Sequence, residues 1–442
     1  MESRGYMSST STAIHNRTVV RQGRTTRFVE GVARSISMEE MCNLPTLLLF
    51  VTNGFIGFVP FWAQIHALKA AVVYFWLSTF LFFLANRTKI QWNLWTCRFA
   101  FLYLVVVVSS VAWTRAPLTT VYSPVISAVG IFLYYNYISA RFRPAEFLRM
   151  LVWVYTFLLF ISIPMVYLLP RSYGWDILNN SDTWRGAWGQ KNQLGFACAC
   201  ALGLCFGWKP RSNFERVWKW CLVAVSLVCL VRSGSRESWI SAAVLFLLAP
   251  IIFVLRHLNQ RSRIPFLLIS GMIVGTTAAL VYFNLDAILY LMGRDRTLTG
   301  RSGIWEGVFL MIKRHPWLGY GAYGVWGTSQ AMDVYVREGQ LITSSHNTYL
   351  ETILDYGIIG LLCYLPIPIM AFRRTLRALV SYDISTLQVY IYLNIVMFIT
   401  SFVGTILTYS PGISLLLMFY AVSELEKVER SGFMTLETTL PS

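Results

Sequence analysis

Long apolar runs, rather than alternation, organise this chain. Residues 101–113 read FLYLVVVVSSVAW and residues 151–169 read LVWVYTFLLFISIPMVYLL, with no charged side chain in either. Such runs approach or reach the roughly 20 residues that carry a helix across a bilayer. The pattern predicts about twelve transmembrane helices, over 44–64, 66–85, 99–113, 121–140, 147–169, 194–207, 217–231, 238–255, 264–284, 348–370, 387–407 and 409–422. The sixth is short. Strands of a transmembrane barrel would alternate apolar and polar positions instead, so the expected class is an all-α polytopic membrane protein. No internal repeat is visible.

Two connections are long, 170–193 and 285–347. Connections beyond about 15 residues are usually functional or disordered. Within the second, Ile304, Trp305, Val308, Phe309 and Ile312 fall on one helical face, which predicts a short amphipathic helix lying at the membrane surface, ended by Pro316 and followed by a Gly-rich turn. The flanks divide the chain into a polar tail (1–43), a membrane domain (44–422) and a C-terminal tail (423–442). The first tail is rich in Ser, Thr and Arg and lacks the apolar core of a signal peptide, so it reads as cytoplasmic and disordered.

Composition sharpens this picture. The chain is 56% hydrophobic and 13% charged, far from the quarter charged of a soluble domain. With the N-terminus inside, most of the 37 Lys and Arg fall in inner segments, as the positive-inside rule requires. The net charge of +16 is therefore topological anchoring. It does not mark a nucleic-acid surface, because no aromatic–basic module accompanies it. Most of the eight cysteines sit in or beside apolar runs. Even the Cys198-x-Cys200 pair lacks polar co-ligands and reads as small buried hydrophobes.

Orientation gives no reason for basic residues on the outer side, so those are the informative ones. DTWRGAWGQKNQLGFA (182–197) brings Arg185 and Lys191 to the head of the sixth span, where Asn192 is placed to cap a helix beginning near Leu194. LVRSGSRESW (230–239) is a tight outer turn carrying Arg232 and Arg236, and Arg301 heads the amphipathic helix. Guanidinium groups near a membrane are costly unless paired or solvated. Pairing with Asp182, Glu237, Asp295 or Glu306 is one explanation; bidentate recognition of phosphate is the other. His346, one of five histidines, lies just before the apolar run from 348, with Asn347 or Thr348 placed to cap the new helix. The helix dipole and nearby arginines disfavour its charged form, and a neutral imidazole can accept a proton from a hydroxyl. His315 precedes Pro316 and helps to end the surface helix. Together these residues describe a cationic outer site with one base, suited to an anion bearing a lipid.

RGAWGQKNQLG, SGSRESW, GRSGIWEGV with HPWLGYGAYG, and SSHNTYLETILDYGIIG resemble the bacterial O-antigen ligase and Wzy-type polymerase superfamily, which includes exopolysaccharide polymerases. The resemblance implies a GT-C-like fold and transfer of glycan from an undecaprenyl-diphosphate-linked oligosaccharide to an acceptor glycan or lipid outside the inner membrane. Under it, His346 matches the base, and Arg236 and Arg301 match the arginines that hold the donor diphosphate. Arg185 and Lys191 lie where members carry further basic or polar groups, with Arg232, Asn192 and Asn347 in support. It implies no cofactor and no metal. The first two outer connections, AQIHALK and TRAPLTTV, lack the acidic pair of metal-dependent lipid-donor enzymes, although Asp286, Asp295, Asp333 and Glu338 stand in the long loop. Expected partners are membrane lipids, a chain-length regulator and a flippase, and no nucleic acid. QKNQLG leans toward polymerase over ligase. A transporter would also have about twelve spans, but the connection NRTKIQWN lacks a transporter-type basic signature.

Overall fold

Among the described residues, Ser212 caps the helix at Asn213 and Asn347 the one at Thr348, whereas the helices at Ile126, Lys191 and Arg236 start with no side-chain cap. The computed structural model describes residues 38–51, 77, 84, 90–176, 182–210, 212–284, 301–338, 342–381, 384–404 and 413–437. Its helices are α1 (Met38–Val51), α2 (Trp95–Ser109), α3 (Ile126–Arg141), α4 (Pro144–Leu168), α5 (Lys191–Gly207), α6 (Asn213–Ser233), α7 (Arg236–Leu255), α8 (Gln260–Phe283), α9 (Arg301–Arg314), α10 (Met332–Glu338), α11 (Thr348–Tyr364), α12 (Pro366–Ser381), α13 (Ile384–Val403) and α14 (Ile413–Glu437). The chain divides into two units, Met1–Thr46 and Leu47–Ser442; the features below belong to the second. Among the described residues there is no extended sheet, only a single bridge between Trp175 and Trp184.

Ten of the twelve apolar windows fall on these helices. The window 66–85 and most of 44–64 lie outside the described residues. Trp95–Ala112, Pro144–Leu168 and Arg236–Leu255 are each long and apolar enough to cross a membrane, and α11 with α12 forms a further candidate bent by 40°. This is a helical membrane protein. The window at 348–370 is broken at Leu365, and α14 extends well past residue 422, so most of the expected C-terminal tail is helix.

The short α5 is the packing centre, with Leu194, Cys198, Leu202 and Cys205 wholly buried. Its small residues permit this: Gly195 lies against Ser235 and Ser238 of the α7 start, and Gly207 against Val389 of α13. Close backbone approach through small residues is how membrane helices gain contact without a hydrophobic driving force. The thiols of Cys97, Cys198, Cys200, Cys205 and Cys229 are buried and free, as expected, whereas Cys221 is exposed.

Glu426 of α14 caps α2 from a distance. Its carboxylate accepts from the backbone N–H groups of Trp95 (2.7 Å) and Thr96 (3.0 Å) and from the Thr96 hydroxyl (2.7 Å). Arg374 of α12, equally buried, pairs with it at 3.2 Å and with Glu429 at 3.2 Å. Burial alone would raise the Glu426 pKa, but the Thr96 hydrogen bonds and the Arg374 charge outweigh it and leave it below the usual glutamate value. A lowered folded value means stability that is present above the unfolded value and is lost as pH falls through the folded one. Thermal unfolding in detergent should therefore show an acid-induced drop below the ordinary carboxylate range, and Glu426→Gln should be less stable at neutral pH with a shallower acid drop.

At the other end, the long connection folds on itself. Ile304, Val308 and Met311 of α9 form a core with Tyr320, Val325, Trp326, Ala331, Val334, Ile342 and Leu354. The expected amphipathic helix exists, but its apolar face is buried in protein instead of lying on the membrane, because residues 320–342 bring enough apolar surface to cover it. Phe309, expected on that face, is half exposed, and Met311 takes a place there. His315 follows the end of α9 with its ring against Tyr320.

Residues 316–321 then insert their backbone into α11. That helix is broken at Gly357 (φ 67°, ψ −169°). The carbonyls of Leu354 and Asp355 accept from Tyr320 and Gly321, while Ile358 and Ile359 donate to Pro316 and Trp317, at 2.8–3.3 Å. A break in a membrane helix is tolerated where buried neighbours take over the freed groups, and here residues 316–321 do so. The loop is also latched to the end of α2, where the Thr114 and Thr120 hydroxyls both donate to the Ala322 carbonyl (3.0 and 2.5 Å).

Candidate functional site

His346 stands in a turn held from several sides. Glu351, wholly buried on the first turns of α11, accepts from the Ser345 backbone (2.6 Å) and from Trp326 Nε1 (2.5 Å). Trp305 of α9 donates to the Ser345 carbonyl at 2.8 Å. Asn347 caps α11, accepting from the backbone of Tyr349 and Leu350 at 3.0 Å each, and its amide donates to Phe402 at the end of α13. Thr348 donates to the Gly404 carbonyl. Pinned in this way, His346 adopts φ +53°. A non-glycine residue is uncommon there, and such strain collects at functional sites where the surroundings over-determine it. Its side chain remains 32% exposed.

Three helix beginnings touch this turn, and a fourth packs beside one of them. α11 starts two residues after His346. α9 starts at Arg301, one turn before the Trp305 that touches Ser345. α7 starts at Arg236 and presents Glu237 to His346, with Oε1 3.6 Å from Nδ1. α5 starts at Lys191, and its Gly195 packs on Ser235 and Ser238. Helix N-termini carry partial positive charge, so neighbouring ones favour an anion. Three of the four are headed by a cationic residue.

The other residues singled out by sequence take varied places. Arg236 is exposed at the head of α7. Lys191 is half-buried, and its backbone N–H donates to Asp176 at 3.4 Å. Arg185 directs its guanidinium to the carbonyls of Gly189 and Ser172, tying the 170–190 connection together. Burial lowers its pKa, and the Asp176 carboxylate pulls the other way. Arg232 lies over the Trp184 ring at 5.0 Å, while its carbonyl accepts from the Trp184 backbone (2.9 Å). Asn192 does not cap α5: the helix starts one residue earlier, with Gln190 as the flanking residue and no side-chain cap. Asp182 pairs with Arg171 at 3.1 Å. Asp286 and Asp295 lie outside the described residues.

Residues 221–365 match the family model described as O-antigen ligase. That segment, about a third of the chain, is similar to the O-antigen ligase family. It is 30% identical over 236 residues to the exopolysaccharide production protein ExoQ of Rhizobium meliloti (strain 1021), covering 50% of this chain and 54% of that protein. It is 35% identical over 78 residues to the O-antigen ligase of Pseudomonas aeruginosa, covering 18% of each. The chain thus spans about half the length, or less, of these curated relatives. The O-antigen ligase segment begins in α6 and ends just past the broken α11, so it includes Arg236, Glu237, Arg301 and His346. Lys191 and Arg185 fall before it. Within this segment, Glu237 is the site residue that the sequence pointed to only as a partner for arginine. Its place immediately after Arg236, at the head of an apolar run, was the available signal.

Proposed function

We propose that this chain is a membrane glycosyltransferase that polymerises oligosaccharide repeat units, taking them from undecaprenyl-diphosphate donors on the periplasmic face of the inner membrane. One arrangement carries the proposal: Glu237, next to Arg236 at the start of α7, lies 3.6 Å from His346, α9, headed by Arg301, bonds the His346 turn through Trp305, and α5, headed by Lys191, packs on the start of α7. A leaving diphosphate gathers charge as its bond to the sugar C1 breaks, and cations and N–H dipoles already in place stabilise that charge without reorganisation. Arg236 and Arg301 hold the diphosphate, with Lys191 beside them. Arg185 and Arg232 shape the connection that delivers Lys191.

In the transfer step, the acceptor oxygen bonds to C1 opposite the diphosphate, and the electron pair of the broken C1–O bond leaves on the diphosphate. The hydroxyl proton passes to His346. Attack from the opposite face inverts the anomeric centre. Binding of an anionic lipid headgroup and protonation of one imidazole require no metal in this scheme.

Polymerisation is preferred because the relative matched over the longer stretch is an exopolysaccharide production protein, and because QKNQLG resembles the polymerase members. Ligation is the second reading, supported by the segment similar to an O-antigen ligase. Purified protein in liposomes, given only undecaprenyl-diphosphate-linked repeat units, should produce a ladder of longer glycans. Product formed only after lipid A-core is added would assign a ligase. Passage of intact lipid-linked glycan across the bilayer, at unchanged length, would assign a transporter.

A further inference from the structure

We propose that Glu237 is the positioning residue for His346: it holds the proton on Nδ1 and leaves Nε2 as the atom that accepts from the acceptor hydroxyl. The inference rests on the transferase reading above and deepens it. The carboxylate Oε1 lies 3.6 Å from Nδ1, which is charge-pairing range and longer than a direct hydrogen bond. Of the two ring nitrogens, Nδ1 is thus the one facing the carboxylate. A carboxylate cannot donate when ionised, so the tautomer it favours carries the proton at Nδ1.

The placement of Glu237 is built by three helices. It sits in the first turn of α7, only 9% exposed, so its carboxylate is turned inward from the helix start. The end of α13 closes the other side: a Cβ at Gly404 would lie 2.6 Å from Glu237 Oε2. The same Gly404 carbonyl accepts from Thr348, the first residue of α11. One small residue therefore leaves room for the carboxylate and also fastens the helix that follows His346. An acid in the first turn of a helix is favoured by the dipole in any case, but the dipole does not require the carboxylate to be buried against a histidine.

During transfer the sequence of proton positions is simple. The hydroxyl proton moves to Nε2 as the oxygen bonds to C1, and the pair from the C1–O bond leaves with the diphosphate. His346 is then imidazolium, with its Nδ1 proton directed at Glu237, whose negative charge stabilises that state. Water takes the Nε2 proton afterwards. The carboxylate itself takes no proton and touches neither substrate, so it is a positioning residue and not a catalytic one.

The test uses the full chain in detergent or liposomes, with His15, His66, His257 and His315 replaced so that 15N-histidine labelling reports His346 alone. At about pH 8, where an ordinary imidazole is neutral, the wild-type ring should show a protonated Nδ1 and an acceptor Nε2. Glu237→Gln should shift the tautomer balance, and with undecaprenyl-diphosphate-linked repeat units it should lower kcat by about 100-fold with KM little changed. Glu237→Asp should restore the Nδ1 signal in part. Gly404→Ala provides a variant that displaces the carboxylate without altering it, and it should move the spectrum in the same direction. An unchanged 15N spectrum in both Glu237→Gln and Gly404→Ala overturns the proposal, as does a spectrum that places the wild-type proton on Nε2. If wild-type protein shows the Nδ1 tautomer yet makes no product from the lipid-linked donor, the transferase reading fails and the pairing stands.

Discussion

With alanine at position 346, the protein is expected to insert, fold and retain the lipid-linked donor, while glycan transfer falls by about 10²- to 10⁴-fold, the usual contribution of a positioned general base. The loss should appear in kcat, because the diphosphate contacts proposed above come from α5, α7 and α9 and do not involve the ring. One ambiguity needs a control. His346 has φ +53°, a conformation that alanine adopts less readily than asparagine does. His346→Asn keeps a residue suited to the left-handed backbone and removes the base. Both variants should be comparably inactive, with chromatographic profiles and thermal midpoints near wild type. An active His346→Asn protein would remove proton acceptance by this ring from the mechanism.

Gly357→Ala is the second large effect, and it strikes the fold. The residue combines φ 67° with ψ −169°, a region that is essentially restricted to glycine. A Cβ there would lie 2.1 Å from the Trp317 carbonyl oxygen and 2.5 Å from the Leu318 nitrogen. These are backbone atoms, with no flexible side chain to yield. Strain and overlap together are expected to destabilise by about 3 kcal/mol or more. The 316–321 strand of backbone would leave α11, and four inter-segment hydrogen bonds would be lost. Limited proteolysis should then cut between α9 and α11 in the variant and spare the wild type. Activity should fall with it, since the Glu351 that holds Ser345 also bonds Trp326 of the same loop. Wild-type protease resistance in Gly357→Ala would show that the docked loop does not depend on this break.

That Lys191, Arg236 and Arg301 head helices, with His346 just ahead of α11, was legible in sequence for one reason. Each stands where a polar or Gly-containing turn gives way to an apolar pattern, long in α7 and shorter in α5 and α9. The details that depend on contacts were not legible. LDYGIIG continues an apolar pattern smoothly, and nothing in it announces that the helix opens at Gly357, because the groups that fill the break come from residues 316–321. The covering of α9 was hidden similarly: a membrane surface and a small protein core ask for the same apolar stripe. Only Phe309, left half exposed, and Met311, buried, distinguish the two. Glu237 was visible as an acid beside an arginine, and sequence offers no rule for which neighbour such an acid faces.

The remote cap on α2 has a consequence for how the chain is made. Trp95 and Glu426 are separated by 331 residues. At the usual pace of synthesis, about 5–20 residues per second, the first turn of α2 waits roughly 15–65 s for its carboxylate. Throughout that time the N–H groups of Trp95 and Thr96 must be met by water or by a helper. Assembly therefore closes from the last helix back onto an early one, and a nascent chain stopped before α14 cannot complete its own beginning. Quality control that senses uncapped helix starts would find in this protein a built-in signal for an unfinished product.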